Sequence, residues 1–179
     1  SPDPVHFGGT NPEEREAAIQ RAVHGAKGAG LGLSFARELV RRSQRPIGLI
    51  CAAHGGTSMA QWDPALRDRG GESLYGSMMK QIENAGGRVR GVLWYQGESD
   101  ANPEAQLVFR EKFKGFVGSM RSDLEDPALL FYYVQIGRFV HPDAQAAPWN
   151  KIQTEQLAAE GEIVPGAMVS SIDLALDDL

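Results

Sequence analysis

The sequence predicts an α/β fold: a three-layer α/β/α sandwich built on a parallel sheet. Apolar, β-rich runs alternate along the chain with stretches of helical periodicity, the pattern of repeated βαβ units. The apolar runs are continuous rather than interleaved with polar residues, as strands covered on both faces require. With 179 residues and 42% hydrophobic content, the chain is long enough to close one core.

The elements follow in order. Asn11-Pro12-Glu13-Glu14 joins an N-cap residue to a proline at the first helical position, and predicts a helix through His24. Gly28-Ala29-Gly30-Leu31-Gly32 reads as a loop into the next helix, Gly32 to Arg42, which sets Phe35, Leu39 and Val40 on roughly one face. Arg41, Arg42 and Arg45 cluster at its end, where a helix C-terminus favours cations. Ile47 to Ala52 predicts a short buried strand, with Cys51 a small buried residue in it. Ser73 to Asn84 brings Leu74, Met78 and Ile82 together, and Gly86-Gly87 stops that helix. Val89 to Tyr95 is the second strand. Asn102-Pro103-Glu104 opens a helix expected to run to about Leu124. Leu129 to Ile136, Trp149 to Glu160 and Ala167 to Leu174 then read as strand, helix and strand. No internal repeat or low-complexity tract interrupts them, so residues 1–179 read as a single domain.

Charge and composition exclude several function classes. The net charge is −5, and no basic stripe is available to neutralise phosphates, so nucleic acid is not an expected partner. No run approaches the roughly 20 apolar residues that span a bilayer. His6, His24, His54 and His141 are scattered without ligand spacing, so no metal is expected. Neither a phosphate-binding loop nor a dinucleotide fingerprint is present, and no cofactor is expected. The single cysteine rules out an internal disulfide.

In open α/β sheets, ligands bind beyond the carboxyl ends of the strands. The first predicted strand ends in His54-Gly55-Gly56-Thr57-Ser58. Paired glycines let the backbone turn tightly and present amide N–H groups to an anion, although a plain strand-to-helix turn reads the same way. Ser58 lies outside a nucleophile-elbow context and reads as structural. The second strand ends in Gln96-Gly97-Glu98-Ser99-Asp100. Such residues do not help a core; Gln96 has an amide to offer an oxyanion, and Glu98 a carboxylate to charge or orient a neighbour. Alternatively, they form a solvated turn before the Asn102 helix start. The third end, Asp173 to Leu179, carries acids but no histidine.

Together these residues resemble a known family. Gly55-Gly56-Thr57 with Trp62, followed by Trp94-Tyr95-Gln96-Gly97-Glu98-Ser99-Asp100, is similar to carbohydrate esterase family 6 and the sialate O-acetylesterases. Trp149, Gln153 and Gln156 resemble that family's late helix, and Asp173 to Asp178 the approach to its terminal Asp-x-x-His block. The resemblance implies an SGNH-hydrolase (flavodoxin-like) fold that removes acetyl groups from sugars such as acetylxylan or O-acetyl sialic acid. It implies a serine nucleophile, a histidine base and an aspartate that orients the histidine. On this sequence it points to Gly55, Gly56 and Gln96 as oxyanion-hole candidates, Glu98 as a supporting acid and Asp178 as the aspartate. It also implies a secreted or periplasmic setting.

The family's Gly-Gln-Ser-Asn block is not found here, and no histidine follows Asp178. The expectation is that the nucleophile, the base and the first strand lie outside these 179 residues, so that this chain alone has negligible esterase activity. Two other readings compete. One is a glycoside hydrolase pairing Glu98 with Asp100 or Asp178. The other is a non-catalytic carbohydrate-binding homologue that stacks sugar on Trp62, Trp94 and Tyr95, residues that equally suit a core.

Overall fold

The structure is a computed structural model that describes residues 30–138 and 146–174. The chain divides into two compact units, Ser1–Cys51 and Ala52–Leu179, and each is described by itself. The expected helix from Asn11 to His24 lies outside the described residues.

In the first unit, α1 (Leu31–Ser43) ends as its sequence directs. Gln44 turns into the left-handed region at φ 56° and returns its N–H to Val40. Arg41 and Arg42 fall in the last turn, and both pair with Glu38 across the exposed surface. That is the helix-end role their position implies. The strand expected from Ile47 to Ala52 does not form. Leu49 is 51% exposed, and Cys51 is exposed rather than buried. A strand exists through ladder hydrogen bonds to a neighbour, and no described residue supplies that neighbour for this run.

The second unit holds β1 (Gly91–Tyr95), β2 (Leu130–Gln135) and β3 (Gly166–Ser170), all parallel and in the order β1-β2-β3. The α/β fold with a parallel sheet is therefore as expected. Its helices are α2 (Leu74–Asn84), α3 (Phe109–Asp123) and α4 (Ala146–Ala159). Ser73 caps α2 by accepting the Gly76 N–H at 3.0 Å. Gly86 and Gly87, at φ 105° and 74°, end it, and the Gly87 N–H closes on the Ile82 carbonyl at 2.9 Å.

The Asn102 signal works differently from expectation. Its Oδ1 accepts the Ala105 N–H at 2.9 Å, but the turn it opens is a short 3₁₀ segment, Ala105–Leu107. Val108 then leaves helical geometry (φ −119°, ψ 2°), and α3 begins only at Phe109. The cap was legible; the β-branched interruption four residues from Glu104 was not.

Strand order equal to sequence order, with right-handed crossovers, places both crossover helices on one face of the sheet. The register puts Trp94 beside Tyr133, and Phe131 and Tyr133 share their face. There Phe116 is fully buried, with its ring centroid 4.6 Å from Trp94, 5.8 Å from Tyr75, 6.2 Å from Phe131 and 6.3 Å from Trp62. Phe113 closes the cluster edge-to-face on Tyr133 at 5.0 Å. Offset and edge-to-face contacts of this kind add about 0.5–1.5 kcal/mol per pair beyond area burial. Arg121 buckles the amino ends of the strands by donating to the carbonyls of Leu129, Val164 and Pro165. On the other face Tyr95, Leu130 and Val169 remain 48%, 39% and 61% exposed.

Candidate active site

The site lies at the carboxyl end of β1. Beyond Tyr95 the chain turns inward at Gln96 and Gly97 and forms a 3₁₀ turn, Glu98–Asp100. Gly97 is required there. Its φ is 154°, and a Cβ would come within 3.0 Å of Ile136, Ile152 and the Gln156 amide.

That turn rotates Asp100 away from solvent. The residue is 2% exposed, and its carboxylate accepts the Met59 N–H at 2.9 and 3.2 Å and the Gln96 side-chain amide. Burial pushes its carboxyl above the ordinary carboxylate value, while the bonds from Gln96 and Met59 pull the other way. Gln96, also buried, gives its other amide hydrogen to the Thr57 carbonyl at 2.9 Å. Its Oε1 has no partner among the described residues.

Facing this latch is the glycine loop. The Trp62 indole donates to the Thr57 hydroxyl at 2.9 Å, and that hydroxyl donates to the His54 carbonyl at 2.8 Å. The loop is thus closed on itself, then tied to β1 through Thr57 and Met59. At its tip Gly56 takes φ 70°, and neither Gly55 nor Gly56 has any atom within 4 Å of where a Cβ would stand. Both glycines are exposed, and their N–H groups bond to no other described residue. This arrangement can receive an anionic oxygen on backbone donors.

A second set of amides ties the strand ends together. Buried Gln156 on α4 accepts the Ile136 N–H and donates to the Gln96 carbonyl, each at 2.9 Å. Gln153 donates to the carbonyls of Ile136 and Gly137 at 3.0 Å, and Trp149 donates to Gly137 at 2.8 Å. The Ser170 hydroxyl donates to the Gln135 side chain at 2.8 Å, and Ser171 to its carbonyl at 2.7 Å. Met59, Gln135, Ser170 and Ser171 were not singled out in the sequence. For Gln135 and Ser170 the available signal was a polar residue at the last position of an otherwise apolar strand; Met59 carried none.

The sequence-predicted residues thus separate into groups. Gly55, Gly56 and Gln96 come together. Glu98 is exposed on the same turn, and Asp178 lies outside the described residues. Gln96 spends both amide hydrogens on the protein, which removes it as a free oxyanion donor in this arrangement. Asp100 points inward, so Glu98 and Asp100 do not form a pair of carboxylates open to a substrate. Trp62 and Trp94 are core residues packed edge-to-face at 5.1 Å, so they are not sugar platforms; Tyr95 alone of the three is exposed. Ser58 sits in a local turn, its N–H on Gln61 Oε1 at 3.0 Å. Among the described residues there is no group of acids, histidines and cysteines able to hold a metal, and no helix long and apolar enough to cross a membrane.

Fold and site define an α/β protein with an exposed glycine loop tied to the carboxyl end of a parallel strand. The sequence profile of the carbohydrate esterase, sialic acid-specific acetylesterase family matches residues 4–179, and the chain belongs to that family. It is 33% identical over 116 residues to a probable carbohydrate esterase of Arabidopsis thaliana, covering 61% of this chain and 42% of that protein. The crystal structure of that Arabidopsis protein superposes with a TM-score of 0.70 at 29% identity, covering 84% of this chain and 59% of that one. A carbohydrate acetylesterase from Xanthomonas citri also superposes at 0.70, with 26% identity over 80% of this chain and 34% of that one. The chain therefore spans less than two thirds of the length of each of these relatives.

Proposed function

We propose that the protein is a carbohydrate O-acetylesterase acting on acetylated sugars such as acetylxylan or O-acetyl sialic acid. The observation that carries this reading is the Gly55-Gly56 tip. Its two exposed N–H groups have no partner among the described residues and sit on a loop locked to the end of β1. Family membership and the names of the relatives support it.

In the reaction, a serine hydroxyl attacks the acetyl carbonyl while a histidine takes its proton. The oxygen of the tetrahedral intermediate lies on the Gly55 and Gly56 N–H groups. Collapse expels the sugar alkoxide, which recovers the proton from the histidine, and water then hydrolyses the acetyl-serine by the same route. Asp178 orients the histidine, and Glu98 supports the site from the turn beside it. Gln96 serves by holding Thr57. Turnover of 4-nitrophenyl acetate that Ser58→Ala abolishes would reassign Ser58 as the nucleophile.

The test uses the full-length protein with acetylated xylan and O-acetyl sialic acid. Acetate release without new reducing ends supports an esterase. New reducing ends without acetate would replace it with a glycosidase. Sugar binding with neither product would favour a non-catalytic homologue.

A further inference from the structure

We propose that Asp100 is a positioning residue of this site: its buried carboxylate holds Met59 N–H and the Gln96 amide, and so fixes where Gly55 and Gly56 point. The inference rests on the esterase reading for its kinetic test, but its geometry stands by itself.

The loop has two ties to the turn that follows β1, and Asp100 takes part in both, directly in one and by bracing Gln96 in the other. Met59 N–H reaches Asp100 directly, at 2.9 Å to Oδ2. Gln96 is braced by Asp100 on one hydrogen while it holds the Thr57 carbonyl on the other. The Thr57 carbonyl shares its peptide plane with the Ser58 N–H, two peptides along from the plane that carries the Gly56 N–H, so holding it anchors the end of the loop from which the glycine N–H groups take their direction. Without the carboxylate, the Met59 N–H and one Gln96 hydrogen are buried without an acceptor, and Gln96 gains freedom to turn and release Thr57. A neutral amide at position 100 offers only one oxygen. With that oxygen in the place of Oδ2 it still meets both donors, but it sets an NH₂ group 3.2 Å from the Met59 N–H, where Oδ1 now accepts. The site demands donors placed to within a few tenths of an ångström of the developing oxyanion, so a loosened loop lowers kcat more than it lowers substrate binding.

The experiment compares Asp100→Ala and Asp100→Asn with the wild type in the full-length protein, on an acetylated sugar, with melting temperature followed in parallel. The expected result is a graded loss of kcat, about tenfold for Asp100→Asn and on the order of 100-fold or more for Asp100→Ala, with KM within about threefold. If Asp100→Ala does not fold, Asp100→Asn decides alone. A wild-type kcat in folded Asp100→Asn, or a fall in melting temperature with kcat intact in either variant, overturns the proposal. If the wild type releases no acetate, the esterase reading has failed separately. The positioning claim is then read from backbone ¹⁵N relaxation of the same variants. Order parameters that fall at residues 55–59 alone support it, and unchanged values there overturn it.

Discussion

On one face of the sheet, Trp94, Phe131 and Tyr133 are buried in an aromatic cluster with Phe113 and Phe116; on the other, Tyr95, Leu130 and Val169 stay between 39% and 61% exposed. Both faces are apolar in sequence, which is why the strands read as continuous hydrophobic runs. The difference arises from connectivity. Both crossovers pass on the same side, so within this unit the helices cover one face. Composition of a strand therefore shows what a face is prepared to bury, while topology decides which face is covered by its own unit.

Several measurements sharpen or break that contrast. Phe116→Ala, at the centre of four ring contacts, is expected to cost about 3–5 kcal/mol, read as a lower urea midpoint at constant m-value. Gln156→Leu leaves the Ile136 N–H and the Gln96 carbonyl buried and unpaired, and should cost about 2–4 kcal/mol in the same assay. A midpoint within error of wild type would mean that the strand ends hold without this brace. Gly97→Ala is expected to cost about 1–3 kcal/mol, because it adds a strained backbone angle to a close approach on Ile136 and Ile152. On the open face, Val169→Thr should change stability by less than about 0.5 kcal/mol. A loss as large as that of Phe116→Ala would show that this face is covered in solution.

The covered face also sets an alkaline limit. Burial raises the Tyr75 phenol, helped by its hydrogen bond to Asp123, and burial raises that of Tyr133, which donates to the Gln156 carbonyl. A raised folded value means that the folded state keeps its proton longer than the unfolded chain. The stabilising contribution is whole below the unfolded phenol value of about 10 and is lost as pH rises above it. Thermal melts should be flat from neutral pH to about 9 and fall beyond about 10, with a shallower fall in Tyr133→Phe. An equal slope in that variant would exclude Tyr133 as a source.

Much of this was legible in the sequence, and the misses have physical causes. Ser73, Gly86-Gly87 and the Gln-Gly-Glu turn were readable because capping and positive φ act over a few residues. The run from Ile47 to Ala52 has strand composition, but pairing is a non-local property and no described neighbour supplies it. Asp100 looked like a second surface carboxylate beside Glu98. Its inward direction is set by the 3₁₀ turn that Gly97 permits, and two residues of spacing cannot specify that turn. Gln96 stood out as a polar residue at the end of its strand, but the bonds it makes were not legible, because the acceptor of its second hydrogen, Thr57, lies 39 residues away.

The amide chain from α4 through Gln156 to Gln96 and on to Thr57 has a consequence for how the protein is made. Its two links close loops of 60 and 39 residues, so the first cannot form before α4 has packed beside β1, nor the second before the glycine loop has returned to the end of β1. Long closures are slow relative to local turns, and the glycine tip is expected to acquire its direction late in folding. In kinetic terms, Gln156→Leu and Asp100→Ala should speed unfolding while leaving the refolding rate nearly unchanged, whereas Phe116→Ala should slow refolding. A refolding rate that falls equally in all three would place the site in the folding nucleus instead.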